Sequence, residues 1–299
     1  MPSDIKKTKI ARRQHFIARF YLRNFGEPLF SDNLCVYDVR RRRWEKRTPE
    51  GVGWFPHLCS MIELDGTRTD AFDQYLKLHV EDPAAPALKR LATGGSLEAA
   101  ERAAVAMFIA LTAARSPALM NSILDANLND LADGDRAELD ALVSLWCGWT
   151  GKPYGPDSHA EFLKPSSFGA IWIWSQSLQR RLLQWEWHLV RTTRDQPFVT
   201  SDRPVLAQWD RTQDVRLVTF PVSSELALVI IAGGQFNEAR DCSTQASVMN
   251  RGTIARATEF VVACRPSFPG DEFLPALHRR LDSARRLRED FEEDSNNVQ

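Results

Sequence analysis

Apolar residues recur every three to four positions through most of the first 185 residues, and beyond Trp187 the spacing drops towards two. The first regime predicts helices and the second predicts strands. A helical pattern carried by Phe72, Tyr75, Leu76 and Val80 runs from Thr69 to Leu91 and should break at Pro83 and Pro86. Ser96, Glu98 and Glu101 then open a stronger helix that should reach Arg115. Further helical signals run from Asp135 to Cys147, and a large aromatic helix is expected from Ser166 to about Gln184. Alternation over His188–Thr192, Pro197–Thr200, Val215–Phe220 and Leu226–Ile231 predicts strands of one antiparallel sheet. A helix from about Asn237 to Ala257, a strand Phe260–Cys264 and a charged helix from about Glu272 complete the pattern. Near the start, Leu34–Val39 and Arg43–Arg47 flank a charged turn as a small hairpin. The expected fold class is α+β, a mainly helical N-terminal body with an antiparallel sheet region and helices in the C-terminal third. The stretch Gly151–Pro156 is the candidate boundary between regions 1–150 and 151–299, and one continuous domain stays open because the aromatic helix after it could pack on both parts.

The opening segment from Arg12 to Phe25 reads as a helix apolar on nearly every side but one. Steps of four place His15, Arg19 and Arg23 on one ridge, within about 80° of each other, while Phe16, Ile17, Phe20, Tyr21, Leu22 and Phe25 fill the remaining circumference. A buried cationic ridge needs an anion, an acidic partner or a water-filled cleft beside it.

Composition narrows the partners. At 299 residues, 43% of them hydrophobic, the chain can bury a real core, and its net charge of -1 gives no generic attraction to nucleic acid or membrane. Charge is unevenly spread, since residues 1–47 hold thirteen Lys and Arg against five Asp and Glu. Cys35, Cys59, Cys147, Cys242 and Cys264 form no Cys-x-x-Cys pair, so neither a disulfide framework nor a zinc module is expected. The apolar run Ala103–Ala114 is too short to span a bilayer, and Lys6, Lys7, Lys9, Arg12 and Arg13 interrupt any apolar leader. A cytoplasmic location without a membrane partner is the expectation.

Further candidate chemistry sits at the ends of apolar elements. The strand Pro197–Thr200 runs into Ser201 and Asp202 before Arg203-Pro204, and strand ends are common sites. Thr, Ser and Asp in such a turn most often cap backbone amides. Arg115-Ser116-Pro117 closes the apolar helix, where a cation suits the helix dipole and Pro ends the helix, yet a guanidinium there could also point into a cleft. Asn250-Arg251 is a weaker candidate, for which surface solvation is the ordinary account.

These segments, Gln14-His15-Phe16-Ile17 with Arg19-Phe20-Tyr21-Leu22-Arg23-Asn24-Phe25, then Arg115-Ser116-Pro117, then Phe198 to Val205, resemble in order and spacing the bacterial Domain of Unknown Function 4238 family. Family members often carry Pro where this chain has Ala18 and Asn where it has Arg203; Ala18 removes a helix-limiting residue. The resemblance implies that His15, Arg19, Arg23, Arg115, Thr200, Ser201 and Asp202 belong to one recurring pattern, and it carries no established activity, fold or cofactor.

Several mechanisms fail on spacing, because the chain has no His-Glu-x-x-His, no Gly-x-Ser-x-Gly and no phosphate loop. If the pattern converges, two classes of function survive. In an enzyme for a phosphorylated or nucleic-acid substrate, Arg19, Arg23 and Arg115 hold phosphate oxygens with Thr200 and Ser201, Asp202 binds a divalent metal or a water, and His15 moves a proton. In the alternative, the cluster holds an anionic small molecule or nucleic acid without catalysis, or Asp202 simply neutralises the arginines. A single carboxylate does not support a two-metal nuclease; Glu63, Glu81 or Asp73 would have to join the site.

Overall fold

The computed structural model describes residues 12–116, 133–209, 215–233, 242–266 and 271–283. In chain order it forms β1 (Arg13–His15), α1 (Arg19–Leu22), β2 (Leu34–Asp38), β3 (Arg43–Arg47), β4 (Trp54–Pro56), β5 (Met61–Ile62) and β6 (Arg68–Thr69). Helices α2 (Ala71–Leu76), α3 (Asp82–Ala92), α4 (Ala99–Ala114), α5 (Asp133–Thr150) and α6 (Ser158–Gln184) follow. The remainder is β7 (Glu186–Arg191), β8 (Thr200–Ser201), β9 (Leu206–Trp209), β10 (Val215–Pro221), β11 (Leu226–Ile231), α7 (Cys242–Arg256), β12 (Phe260–Ala263) and a helix over 274–283. Every strand pairing is antiparallel, so the class is α+β.

Two compact units share the chain in interleaved segments. Unit 1 takes residues 1–18, 53–87 and 97–183, and unit 2 takes 19–52, 88–96 and 184–299. The helical body is therefore narrower than the pattern implied: residues 19–52, with the β2–β3 hairpin, group with the later sheets.

The opening segment is not one helix. Gln14 pairs with Phe55 across β1 and β4, and the amides of Phe16 and Ile17 both donate to the carbonyl of Gly53, at 2.8 and 3.3 Å. Those amides would otherwise start a helix, so the helix begins only after Ala18 and tightens into a 3-10 turn at Arg23–Phe25. The apolar residues meant to line a helix are buried all the same: Phe16, Ile17, Tyr21, Leu22 and Phe25.

Pro83 and Pro86 do not break the next helix. A π-helical turn over Lys77–Glu81 joins α2 to α3, and Pro86 lies inside α3. The ring of Pro83 would press on the carbonyl of His79, and a wider turn there relieves the clash. The α4 helix starts as expected, with a capping box between Glu98 and Glu101. The aromatic helix α6 begins earlier than predicted, at Ser158.

Unit 2 holds two four-stranded sheets, ordered β7-β11-β10-β9 and β3-β2-β12-β8. The segment at Thr200 leaves the sheet it was expected to share with Val215–Phe220 and Leu226–Ile231, and pairs with β12 through Val262 and Val261. Helix α7 packs on residues from both: Ile254 joins Tyr37, Val199, Val261 and Leu277, while Ala246 and Met249 join Val190, Phe198 and Val229. In unit 1, Phe72 stacks on Phe168 at 4.5 Å, and Val143, Trp146 and Cys147 form a further buried group.

Candidate functional site

In unit 2 buried polar groups hold the strand segment Pro197–Asp202 and the neighbouring turn at Val222–Ser224. The Tyr21 hydroxyl lies 2.7 Å from Thr200 Oγ1 and 2.9 Å from the carbonyl oxygen of Pro221. Burial drives the Tyr21 phenol well above its ordinary pKa, against the opposing pull of the Thr200 bond, so it stays neutral. Asn24 donates to the Val222 carbonyl at 2.9 Å and accepts from the Ser224 amide through its own carbonyl at 3.1 Å. Asn250, expected at the surface, is buried: its Oδ1 accepts from the Val199 amide at 3.0 Å and its Nδ2 donates to the Pro197 carbonyl at 2.9 Å.

Asp202 is only 3% exposed. Its carboxylate accepts from the amides of Thr258 (3.0 Å), Glu259 (3.2 Å) and Phe260 (3.3 Å) and from Thr258 Oγ1 (2.6 Å). Ser201 Oγ accepts from the amide of Arg203 at 3.1 Å, closing the turn. A divalent metal does not fit this carboxylate, whose oxygens are already filled by four donors; no other acidic, His or Cys side chain joins it in a metal-holding group among the described residues. Arg19 and Arg23 lie towards solvent in the same unit, facing Glu50 at 3.5 and 3.3 Å, and Arg23 also pairs with Asp32.

Unit 1 solves the same problem with charge. Arg115, the C-cap of α4, is 5% exposed and donates from Nη2 to Asp73 and from Nη1 to Glu81, both at 2.9 Å. The π turn between α2 and α3 sets the eight-residue step that lets both carboxylates reach one guanidinium. Burial alone would lower the Arg115 pKa, but Cys59, Glu81 and Asp73 outweigh it, and the net direction is up. Burial raises the Asp73 carboxyl, opposed by Arg115. Burial likewise raises the Cys59 thiol, again opposed by Arg115. Arg115 Nε has no hydrogen-bond partner among the described residues. Gln14 braces the neighbouring turn: its Oε1 accepts from the Cys59 amide at 2.7 Å and its Nε2 donates to Ser60 Oγ at 3.0 Å. His15 sits beside it on β1, opposite Trp54.

The recurring pattern is thus divided. His15 and Arg115 belong to unit 1, and Arg19, Arg23, Thr200, Ser201 and Asp202 belong to unit 2, each with its own partners. The ridge of His15, Arg19 and Arg23 does not form, because the chain passes from strand to helix between them. Of the carboxylates named as additions to Asp202, Asp73 and Glu81 are recruited, but by Arg115. Sequence reading missed Asn250, Tyr21 and Gln14 as buried clamps.

These features define an antiparallel α+β protein whose polar motif residues lie at the ends of buried elements, with no helix among the described residues long and apolar enough to cross a membrane. The chain belongs to the family described as protein of unknown function (DUF4238), whose profile matches residues 13–267. No curated protein and no solved structure matches it.

Proposed function

We propose that the chain is a binding or sensing module for an anionic ligand, in which the recurring Arg, Thr, Ser and Asp residues hold the frame. The observation that carries this reading is the filled coordination of Asp202: four donors from Thr258, Glu259 and Phe260 occupy the carboxylate that a phosphate-directed enzyme would need for its metal or water. To act in catalysis, Asp202 would have to leave unpaired the buried Phe260 amide and the half-buried amides of Thr258 and Glu259, at up to about 1–3 kcal/mol each. An anionic ligand finds support in unit 1, where Lys152 and Lys164 flank Glu161 at 3.7 and 3.8 Å without hydrogen-bonding to it.

Asp202→Asn tests the assignment. The amide keeps an acceptor but loses the charge and one acceptor oxygen, so the variant should lose about 1–3 kcal/mol in urea unfolding. Its thermal stabilisation by a panel of phosphate, nucleotides and oligonucleotides should match that of the wild type. A variant of wild-type stability that no longer responds to any of these anions would return Asp202 to the ligand site. A wild-type protein indifferent to all of them would sink the module reading.

A further inference from the structure

Unit 1 also gathers cations that lie outside the recurring pattern. Lys152 follows α5: Gly151 takes the left-handed conformation (φ +68°) and the Lys152 amide donates back to the Cys147 carbonyl at 3.0 Å, a helix-ending turn that fixes where residue 152 leaves. Lys164 lies on the second turn of α6, one step along the same face from Glu161. Arg68 is carried in by the β5–β6 hairpin. Its turn residue Gly66 (φ +79°) lies so close to the end of α5 that a Cβ there would stand 2.3 Å from the Thr150 carbonyl. Only glycine allows that approach.

Among the described residues internal hydrogen-bond acceptors do not satisfy these cations, and Lys152 additionally lies over the Trp146 ring at 5.6 Å. Glu161 stands between the two lysines, with Oε2 3.7 Å from Lys152 Nζ and Oε1 3.8 Å from Lys164 Nζ, both beyond hydrogen-bond length. Its Oε2 is buried and accepts no hydrogen bond from the described residues. Lys164 has one acceptor, the His57 carbonyl at 3.0 Å. Arg68, half-buried, makes no side-chain hydrogen bond or ion pair with another described residue. Burial lowers the Lys164 pKa, opposed by Glu161 and Cys59 and reinforced by Arg68 and Lys152, so each of these two cations lies within electrostatic reach of Lys164. His57 completes the group. It holds a left-handed backbone (φ +53°), fixed by its amide donating to the Arg12 carbonyl at 3.0 Å and by its carbonyl accepting from Lys164 and from the Ser60 amide.

We infer that Arg68, Lys152 and Lys164, grouped around His57 and Glu161 in unit 1, form the binding site for a tetrahedral oxyanion of the phosphate class. The inference rests on the anion-binding reading above and specifies its site. A planar guanidinium and two ammonium groups supply more donors than Glu161 can engage, and a phosphate dianion offers acceptors in the geometry that Arg favours. Glu161 acts as an internal competitor that keeps affinity moderate.

The test uses the full chain, with inorganic phosphate, phenyl phosphate and sulfate titrated calorimetrically at constant ionic strength. Wild type should bind inorganic phosphate saturably. Arg68→Met removes a residue that makes no side-chain hydrogen bond or ion pair with the described residues and should weaken that binding about tenfold or more while leaving the unfolding midpoint unchanged. Lys152→Met should weaken it less, and Glu161→Gln should strengthen it about threefold or more. Phenyl phosphate binding as tightly as inorganic phosphate would identify a phosphomonoester terminus as the natural source; weaker binding would identify the free ion. A folded Arg68→Met variant with wild-type phosphate affinity overturns the site, while the module reading survives. Binding of nucleotides or oligonucleotides but not of phosphate or sulfate overturns the ligand class alone.

Discussion

The two units bury a motif residue of formal charge in opposite ways. Arg115 is neutralised by the side chains of Asp73 and Glu81, whereas Asp202 is surrounded by backbone amides and one hydroxyl, with no cationic side chain hydrogen-bonded to it among the described residues. The difference concerns what can be exchanged. Side-chain partners can be replaced together with the residue they serve; backbone partners persist whatever replaces it. A buried ion pair is therefore removable as a set, often at little cost, while a backbone clamp is not.

The largest effect expected follows from this. Arg115→Met strands two carboxylates in a partly buried site, and breaking a buried pair by removing one partner typically costs about 3–5 kcal/mol. Asp73→Asn and Glu81→Gln added to the same variant should recover most of that loss in urea unfolding. If the triple variant stays as unstable as Arg115→Met, the charge balance is not what holds the end of α4.

Asn250→Ala probes the other side. It orphans the buried Val199 amide and Pro197 carbonyl, at a cost of about 2–4 kcal/mol for the two groups. No second substitution among side chains should restore it, because its partners are main chain. A suppressor on α7 or β8 that recovers full stability would erase the contrast between the units.

How much of this could be read from the chain follows the same division. The α+β class was legible because apolar period changes at Trp187, and α4 was legible because its cap, its apolar run and its terminal Arg115 are all local signals. The opening segment misled because periodicity records which side chains are buried, not which amides are taken; Gly53, nearly forty residues away, decides that by accepting from Phe16 and Ile17. Asn250 looked like surface for a related reason: a single amide on a helix carries no sign that a strand fifty residues earlier needs both its donor and its acceptor. Arg68, Lys152 and Lys164 were equally silent, being solitary cations in separate elements that meet only through the turns at Gly66 and Gly151.

The smallest effect expected separates the His57 cluster from the Asn250 clamp by pH. His57 has its pKa lowered from 6.5 by burial first and then by Arg68, Arg12 and Lys164, with Glu161 opposing. A lowered value means that folding favours the neutral ring, so the folded state binds fewer protons than the unfolded chain as the pH falls. Its contribution to stability is present above pH 6.5 and is lost as the pH drops through the folded value. The Asn250 and Tyr21 clamps contain no group that titrates in that range, since the Tyr21 phenol is shifted upward. His57→Asn, chosen because Asn tolerates the left-handed backbone, should therefore flatten the decline in unfolding free energy between about pH 7.5 and 5.5. Asn250→Ala should leave the shape of that profile unchanged while lowering it throughout. Parallel profiles for wild type and His57→Asn would mean that neither burial nor the cations of unit 1 depress the His57 pKa, and the contrast between side-chain and backbone neutralisation would then rest on Arg115 and Asp202 alone.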